Sequence, residues 1–262
     1  MKKALKKAQK GKYAIGQFNF STLVQLRAIL DAAKKLKAPV ILGTSQGELK
    51  YLGLEEVIAL VEISKNKYGL KVFLNLDHGS DLKLIKKCVD YGFSAVHFDG
   101  SSLPLEKNTE YAKTIVQYAH KRGVLVEGEL DAIGGKGLTS LIEAKRFVKE
   151  TGVDSLAVAI GNVHGIKKVK LDLSRLKDIC KVKAFIVLHG GSGISGDQIK
   201  KAIKLGVVKI NVNTELRIAW KEGLKKALKG GEIKPYKIMP FVQEAIQKKV
   251  EEKIKLFGSI KR

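Results

Sequence analysis

VFLNLDHGSD, residues 72 to 81, decides how the rest of the chain is read. An apolar run ends abruptly in Asp77 and His78, with Gly79 and Ser80 behind them. Alternation along a strand puts Leu74, Leu76 and His78 on one face and Asp77 on the other. The two polar groups reach a common site only if the strand stops and the backbone turns at Gly79. A histidine and a carboxylate at a strand's C-terminal end stand where parallel α/β enzymes keep their chemistry. The alternative is an aspartate capping a helix that begins near Leu82, beside a histidine that merely packs. The other histidines decide between the two.

Outward from this stretch, short apolar runs alternate with amphipathic ones. Upstream, YAIGQFNF (Tyr13 to Phe20) reads as a first strand, and Leu23 to Leu36 as a helix capped by Ser21 or Thr22. PVILGTS follows as an almost wholly apolar strand of the kind buried on both faces, then a helix from Leu54 to Lys67. Downstream come a helix over Asp81 to Tyr91, the strand AVHFD (Ala95 to Asp99), a helix over Leu105 to Lys121 and the strand LVEGELD from Leu125. A short helix from about Ser140 to Glu150 leads to SLAVAIGN as the sixth strand. A helix from about Leu173 to Cys180 precedes AFIVLHGG, and a helix over Asp197 to Leu205 precedes VVKINVN. Helices to about Lys229 and in the tail complete the chain. Eight strands alternating with eight helices predict a single (β/α)8 barrel over residues 1–262, with a C-terminal helical extension.

The chain's 262 residues and 45% hydrophobic content suit one such domain. No apolar run approaches the roughly 20 residues that span a bilayer. The basic N-terminus, MKKALKKAQKGKY, lacks the apolar core of a signal peptide. Cys88 and Cys180 stand without CxxC spacing, which predicts reduced thiols in a cytoplasmic protein. The net charge is +23, but the lysines spread over every predicted helix and aromatics make up only 6%. That pattern is a solvated surface attractive to anionic substrates, not a nucleic-acid-binding patch.

Three of the five histidines close a predicted strand: His78, His164 in AIGNVHG and His189 in VLHGGSG. Each precedes a glycine, so backbone and ligand can approach closely. Three imidazoles at the barrel's C-terminal mouth match the three-ligand pattern of a catalytic Zn2+ with positions left for substrate. His120 is expected at the surface, and His97 as a hydrogen-bonded core residue. Glu127 and Glu129 point inward; with Asp99 they form a second cation site, orient the imidazoles, or belong to a structural network with a lysine. HGGSGIS and INVNT follow strands seven and eight, where barrels bind phosphate through backbone N–H groups and a helix N-terminus. Ser45 in TSQG adds a hydroxyl near the mouth.

These motifs in this order, YAIGQFNF, PVILGTSQG, LDHGS, VEGEL followed by GG, TGVDSLAVAIGNVHG, LDLSRL, LHGGSGI and LGVVKINVNTEL, resemble the class II, zinc-dependent fructose-1,6-bisphosphate aldolases. The likeness is to the shorter branch, shared with tagatose-bisphosphate aldolases, and runs from about Gly11 to Ser259. It implies that His78, His164 and His189 hold the zinc and that Asp77 is the acid/base at the substrate's C4 oxygen. It places Asp99 and Glu129 at an accessory position for a divalent or monovalent cation. Gly165, Lys168, Gly190, Gly191, Ser192, Asn211, Val212, Asn213 and Thr214 fall where the family grips dihydroxyacetone phosphate. Ser45 falls at the other end of the sugar phosphate. The implied substrates are ketose bisphosphates and triose phosphates, and the implied assembly is a homodimer or larger. Zinc there polarises the ketone and stabilises the enediolate left by C3–C4 cleavage.

The sequence departs from the family at three points. Relatives carry a loop with adjacent acidic residues after the double glycine, one of them the enolising base; here Gly134-Gly135 lead to Lys136-Gly137-Leu138, with Asp131 the nearest acidic substitute. Ile166 and Lys167 follow His164-Gly165 where relatives have a tyrosine and a longer loop. Tyr236 stands where relatives often have arginine. The fructose epimer leads, with tagatose bisphosphate, or a non-catalytic metal- and sugar-phosphate-binding role, as the alternatives.

Overall fold

The expected alternation closes into a ring. The computed structural model describes residues 1–135 and 137–262. Eight parallel strands follow one another around a closed barrel: β1 (Ile15–Asn19), β2 (Val40–Ser45), β3 (Val72–Gly79), β4 (Ala95–Asp99), β5 (Leu125–Glu129), β6 (Ser155–Ala157), β7 (Phe185–Leu188) and β8 (Val207–Val212). Pairing of β8 with β1, Ile15 opposite Lys209 and Gln17 opposite Asn211, shuts the ring. The helices are α1 (Lys2–Gly11), α2 (Leu23–Leu36), α3 (Gln46–Leu52), α4 (Leu54–Tyr68), α5 (Leu82–Asp90), α6 (Leu105–His120), α7 (Leu141–Thr151), α8 (Leu173–Ile179), α9 (Gly196–Leu205), α10 (Thr214–Leu228) and α11 (Pro235–Leu256). Among the described residues no helix is long and apolar enough to cross a membrane.

Each strand is buried on both sides, which is why the strands read as apolar runs. Their outward side chains, such as Leu42, Leu74, Leu76, Val96 and Leu188, join the buried helix faces in one continuous core. The inward residues are sorted along the barrel axis. At the N-terminal end Ile15, Ile41, Ala95, Leu125 and Phe185 form an apolar plug, which Leu5 and Ala8 of α1 cover. Above it the lumen turns polar with Gln17, Asn75, His97, Glu127 and Lys209, all buried. The functional groups lie above that, at the C-terminal mouth.

Two helices exceed the expected eight in the barrel proper. α1 escaped notice because only Leu5 and Ala8 of its ten residues are buried. α3 is built from a capping box: Ser45 Oγ accepts from Glu48 N at 3.3 Å and Glu48 Oε2 accepts from Ser45 N at 2.8 Å. α11 is the C-terminal extension and packs along α10 and α2. Thr22 caps α2 by accepting from Gln25 N, and Asp81 caps α5 by accepting from Lys83 N at 2.8 Å.

Candidate active site

The turn that aims Asp77 and His78 is one residue earlier than expected. His78 itself takes the left-handed conformation, φ +50°, and the β3–β4 register slips between Leu76 and Gly79. That bulge breaks strict alternation, so adjacent residues both face the mouth. A left-handed residue with a Cβ is strained by roughly 1–2 kcal/mol, which the surroundings must offset. Gly79 serves a different purpose: a Cβ there would stand 2.7 Å from Leu76 Cδ2 and 2.9 Å from the His97 carbonyl oxygen. It is needed for close approach of β3 to β4.

Asp77 is buried and clamped from both sides. Asn19 Nδ2 donates to its Oδ2 at 2.9 Å, and Asn211 Nδ2 donates to its Oδ1 at 2.9 Å. Burial raises its pKa, but the electrostatic pull of His78, His189, His97 and Lys209 outweighs this and brings it down to about 2. It is therefore an ionised, oriented acceptor at neutral pH and not a helix cap.

The histidines converge on it. The His78 ring centroid lies 4.7 Å from that of His189 and 5.0 Å from that of His164, while His164 and His189 are 6.4 Å apart. His189 is buried and His164 sits exposed at the rim. His78 Nδ1 lies 2.7 Å from Asp99 Oδ2, and His189 Nε2 lies 2.8 Å from Glu127 Oε1. An ionised carboxylate only accepts, so both outer nitrogens carry protons. The inner nitrogens, His78 Nε2 and His189 Nδ1, then face each other with lone pairs at 3.0 Å. Such a pair calls for a cation between or beside it, a proton or a metal. Carboxylates behind imidazoles are the usual backing of metal-bound histidines. The residues thus fit a divalent cation held by His78 and His189, with His164 the third imidazole on the same cavity. In its absence burial lowers the His78 pKa, but the hydrogen bond to Asp99 and the charges of Asp77, Glu129 and Asp99 raise it to about 9.

The carboxylates divide into two roles. Glu127 accepts from Lys209 Nζ at 2.6 Å as well as from His189, and although burial opposes the charge, Lys209 and the imidazoles hold its pKa well below the usual range. It belongs to a buried lysine network and orients His189. Asp99 and Glu129 lie with His78 in a second close group of metal-type residues, although His78 Nδ1 gives its hydrogen to Asp99. Glu129 Oε2 is buried without a hydrogen-bond partner among the described residues, as an acceptor reserved for a cation would be.

Asp77, His78, His164, His189, Asp99 and Glu129 line a cavity of about 480 Å3 with Ser45, Ser101, Gly165, Gly190, Ser192, Asn211, Asn213, Thr214 and Arg217. Gly190 is left-handed at φ +66°, its back against Val163, which seats the loop after β7 beside His164. Ser192 Oγ accepts from Glu215 N at 3.4 Å and ties that loop to the first turn of α10. Lys168 is exposed, Val212 points into the outer core, and Gly191 packs against Ile210; these three lie outside the cavity lining. Asp131 also lies outside it, half-buried, with burial raising its pKa. Lys136, which follows the double glycine, lies outside the described residues. His120 is not idle at the surface: its Nε2 lies 2.8 Å from Asp154 Oδ2, while Asp154 Oδ1 accepts from Lys2. A larger concavity of about 810 Å3 at the barrel's other end contains that network and a rim of lysines, with none of the mouth's clustered imidazoles.

Sequence reading passed over Asn19, Glu48 and Arg217. Glu48 is buried and collects Asn19 Nδ2 at 3.0 Å and Ser45 N at 2.8 Å on one oxygen, Asn213 Nδ2 at 3.2 Å and Arg217 at 3.0 Å on the other. The S-x-x-E spacing of Ser45 and Glu48 was its one visible signal.

The family model for class II fructose-bisphosphate aldolases matches residues 1–262. The chain is 41% identical to the 6-phospho-5-dehydro-2-deoxy-D-gluconate aldolase of Shouchella clausii, over 96% of this chain and 92% of that protein. It is 39% identical to the fructose-bisphosphate aldolase of Geobacillus stearothermophilus, over 99% and 96%. Among solved structures it superposes on the YdjI aldolase from Escherichia coli K12 with a TM-score of 0.90 at 33% identity, covering 99% and 97% of the two chains. A barrel whose mouth joins clustered imidazoles, their carboxylate backing and a clamped aspartate, in a chain matched from end to end, belongs to the class II fructose-bisphosphate aldolase family.

Proposed function

We propose that this aldolase cleaves fructose 1,6-bisphosphate reversibly to dihydroxyacetone phosphate and glyceraldehyde 3-phosphate, with zinc held by His78, His164 and His189. The observation that carries the reading is the pair of carboxylate-backed imidazoles 3.0 Å apart beside the clamped Asp77. A divalent cation bound there supplies Lewis-acid polarisation of the ketone and stabilises the charge that develops as the C3–C4 bond breaks.

The chain's own residues do the rest. Asp77 accepts the proton of the C4 hydroxyl while C4 becomes the carbonyl carbon of the departing aldehyde and the bonding pair stays on C3. Asn19 and Asn211 keep its carboxylate fixed, so little reorganisation accompanies proton transfer. Asn213, at the N-cap of α10, gives its side-chain amide to Glu48, and the Thr214 end of that helix, beside Ser192 on the cavity wall, is where a phosphate would sit. Arg217, on the wall and braced by Glu48, offers a cation to the far end of the substrate.

Arg217 also favours a second reading. The 2-deoxy substrate named for the Shouchella clausii relative places a carboxylate where fructose 1,6-bisphosphate has its second phosphate. Both substrates release the same dihydroxyacetone phosphate half. Initial rates with fructose 1,6-bisphosphate, tagatose 1,6-bisphosphate and 6-phospho-5-dehydro-2-deoxy-D-gluconate separate them. The first should show the highest kcat/KM and lose it with chelator. A preference for either other substrate moves the assignment to it. No cleavage of any by the zinc-loaded protein would leave a non-catalytic sugar-phosphate binder.

A further inference from the structure

Cleavage as described employs Asp77, His78, His189 and the carboxylates behind them, and leaves one buried imidazole without a task. His97 lies in β4 between Val96 and Phe98 with no exposed surface. Its Nδ1 accepts a hydrogen bond from the backbone N–H of His78 at 3.1 Å. A ring nitrogen that accepts holds the lone pair, so the proton of the neutral ring belongs on Nε2. Nε2 stands 3.3 Å from Glu129 Oε2, a close approach that is not aligned as a hydrogen bond, and among the described residues neither atom makes one. His97 is close enough to Asp77, His78 and His189 to be counted among metal-type donors. Its Nδ1 lone pair, however, is already committed to the backbone, and its Nε2 bears the hydrogen.

The residue it holds is the strained one. His78 is left-handed, and the slipped β3–β4 register leaves its N–H outside the strand ladder. A buried N–H with no acceptor would oppose that conformation. The imidazole of His97 supplies the acceptor, and the opposite edge of the same ring faces the carboxylate that neighbours His78. We infer that His97 is a positioning residue: one imidazole in one tautomer fixes the left-handed turn at His78 through its Nδ1 hydrogen bond and sets Nε2 beside Glu129 at 3.3 Å. Only the kinetic arm of its test rests on the aldolase reading.

Three variants divide the two contacts. Asparagine places an amide oxygen near the position of Nδ1 and keeps the acceptor for His78 N–H. Glutamine reaches the position of Nε2 and keeps a donor for Glu129. Phenylalanine removes both. The readouts are hydrogen exchange of the His78 amide by NMR in metal-free protein, zinc affinity by competition with a chromogenic chelator, and kcat and KM. His97→Phe should speed exchange at His78 and lower zinc affinity and kcat by the ~10–100-fold expected on losing an outer partner of a metal ligand, with KM little changed. His97→Asn should restore slow exchange and most of the zinc affinity; His97→Gln should leave the amide exposed to exchange. If phenylalanine prevents folding, the asparagine–glutamine pair carries the comparison. His78 exchange as slow in His97→Gln as in the native protein, or asparagine and glutamine variants alike in every readout, would overturn the inference. So would native kcat in a variant whose His78 amide has lost protection. Loss of protection and zinc affinity in a protein that cleaves no ketose phosphate would support the positioning role and refute the substrate assignment alone.

Discussion

Asp77 shows how a barrel keeps a carboxylate both charged and placed. Its two oxygens accept from amides on β1 and β8, at 2.9 Å each, while the imidazoles opposite favour the anion. Replacing it with asparagine keeps the shape and removes the base. The expected outcome for Asp77→Asn is a kcat lower by about 10²- to 10⁴-fold with bound zinc unchanged; steady-state rates and elemental analysis on the same sample check it, and loss of zinc would make Asp77 structural. At this scale the sequence disclosed the ends of β3 and β7 best, where His78 and His189 each stand before a glycine; His164, expected to close the sixth strand, lies in the loop beyond β6, which ends at Ala157. Asn19 and Asn211 bind Asp77 equally directly, but Asn19 lies unmarked in an apolar stretch. His97 was legible as a core histidine, whereas its bond to His78 N depends on a bulge that strict alternation does not foresee.

Among the elements, the segment from β5 to α7 is where the sequence is expected to depart from the family. Asp131 was the nearest acidic substitute for the family's loop base, and it lies off the cavity lining, half-buried, with its pKa raised by burial. Residues 132 to 138 contain no acid. Proton exchange at C3 of dihydroxyacetone phosphate should therefore be slower than C3–C4 cleavage, measured by NMR in deuterated water. Inserting an acidic loop between Gly135 and Thr139 should speed exchange and leave zinc binding alone. Exchange in the native enzyme faster than cleavage would show that another group supplies the base, and loss of exchange in Asp131→Asn would identify it. The strands themselves were readable because both faces are buried and the hydrophobic pattern is nearly continuous. α3 was not, since its seven residues are defined by the Ser45–Glu48 box more than by any apolar stripe.

Across the whole molecule, the barrel separates its stabilising end from its reactive one. α1 covers the apolar plug, and Lys2 Nζ reaches Asp154 Oδ1 at 2.8 Å while His120 and Val126 N–H share the other oxygen. Burial raises the Asp154 pKa, but the Lys2, His120 and backbone hydrogen bonds outweigh it and the pKa falls. A carboxylate depressed in the folded state contributes stability above its unfolded value, about 3.9, and loses it as pH falls through the lower folded value. Asp154→Asn should thus melt below the native protein at pH 7, with the gap closing below about pH 4; thermal unfolding across pH checks it, and a gap independent of pH would assign the effect to packing. Zinc-dependent catalysis at the other end is the central claim, and one titration tests it most directly: cleavage of fructose 1,6-bisphosphate by exhaustively chelated protein as zinc is returned. Activity absent in the metal-free protein and rising to a plateau near one zinc per chain is the predicted result. Full activity with no zinc detectable by elemental analysis would contradict it.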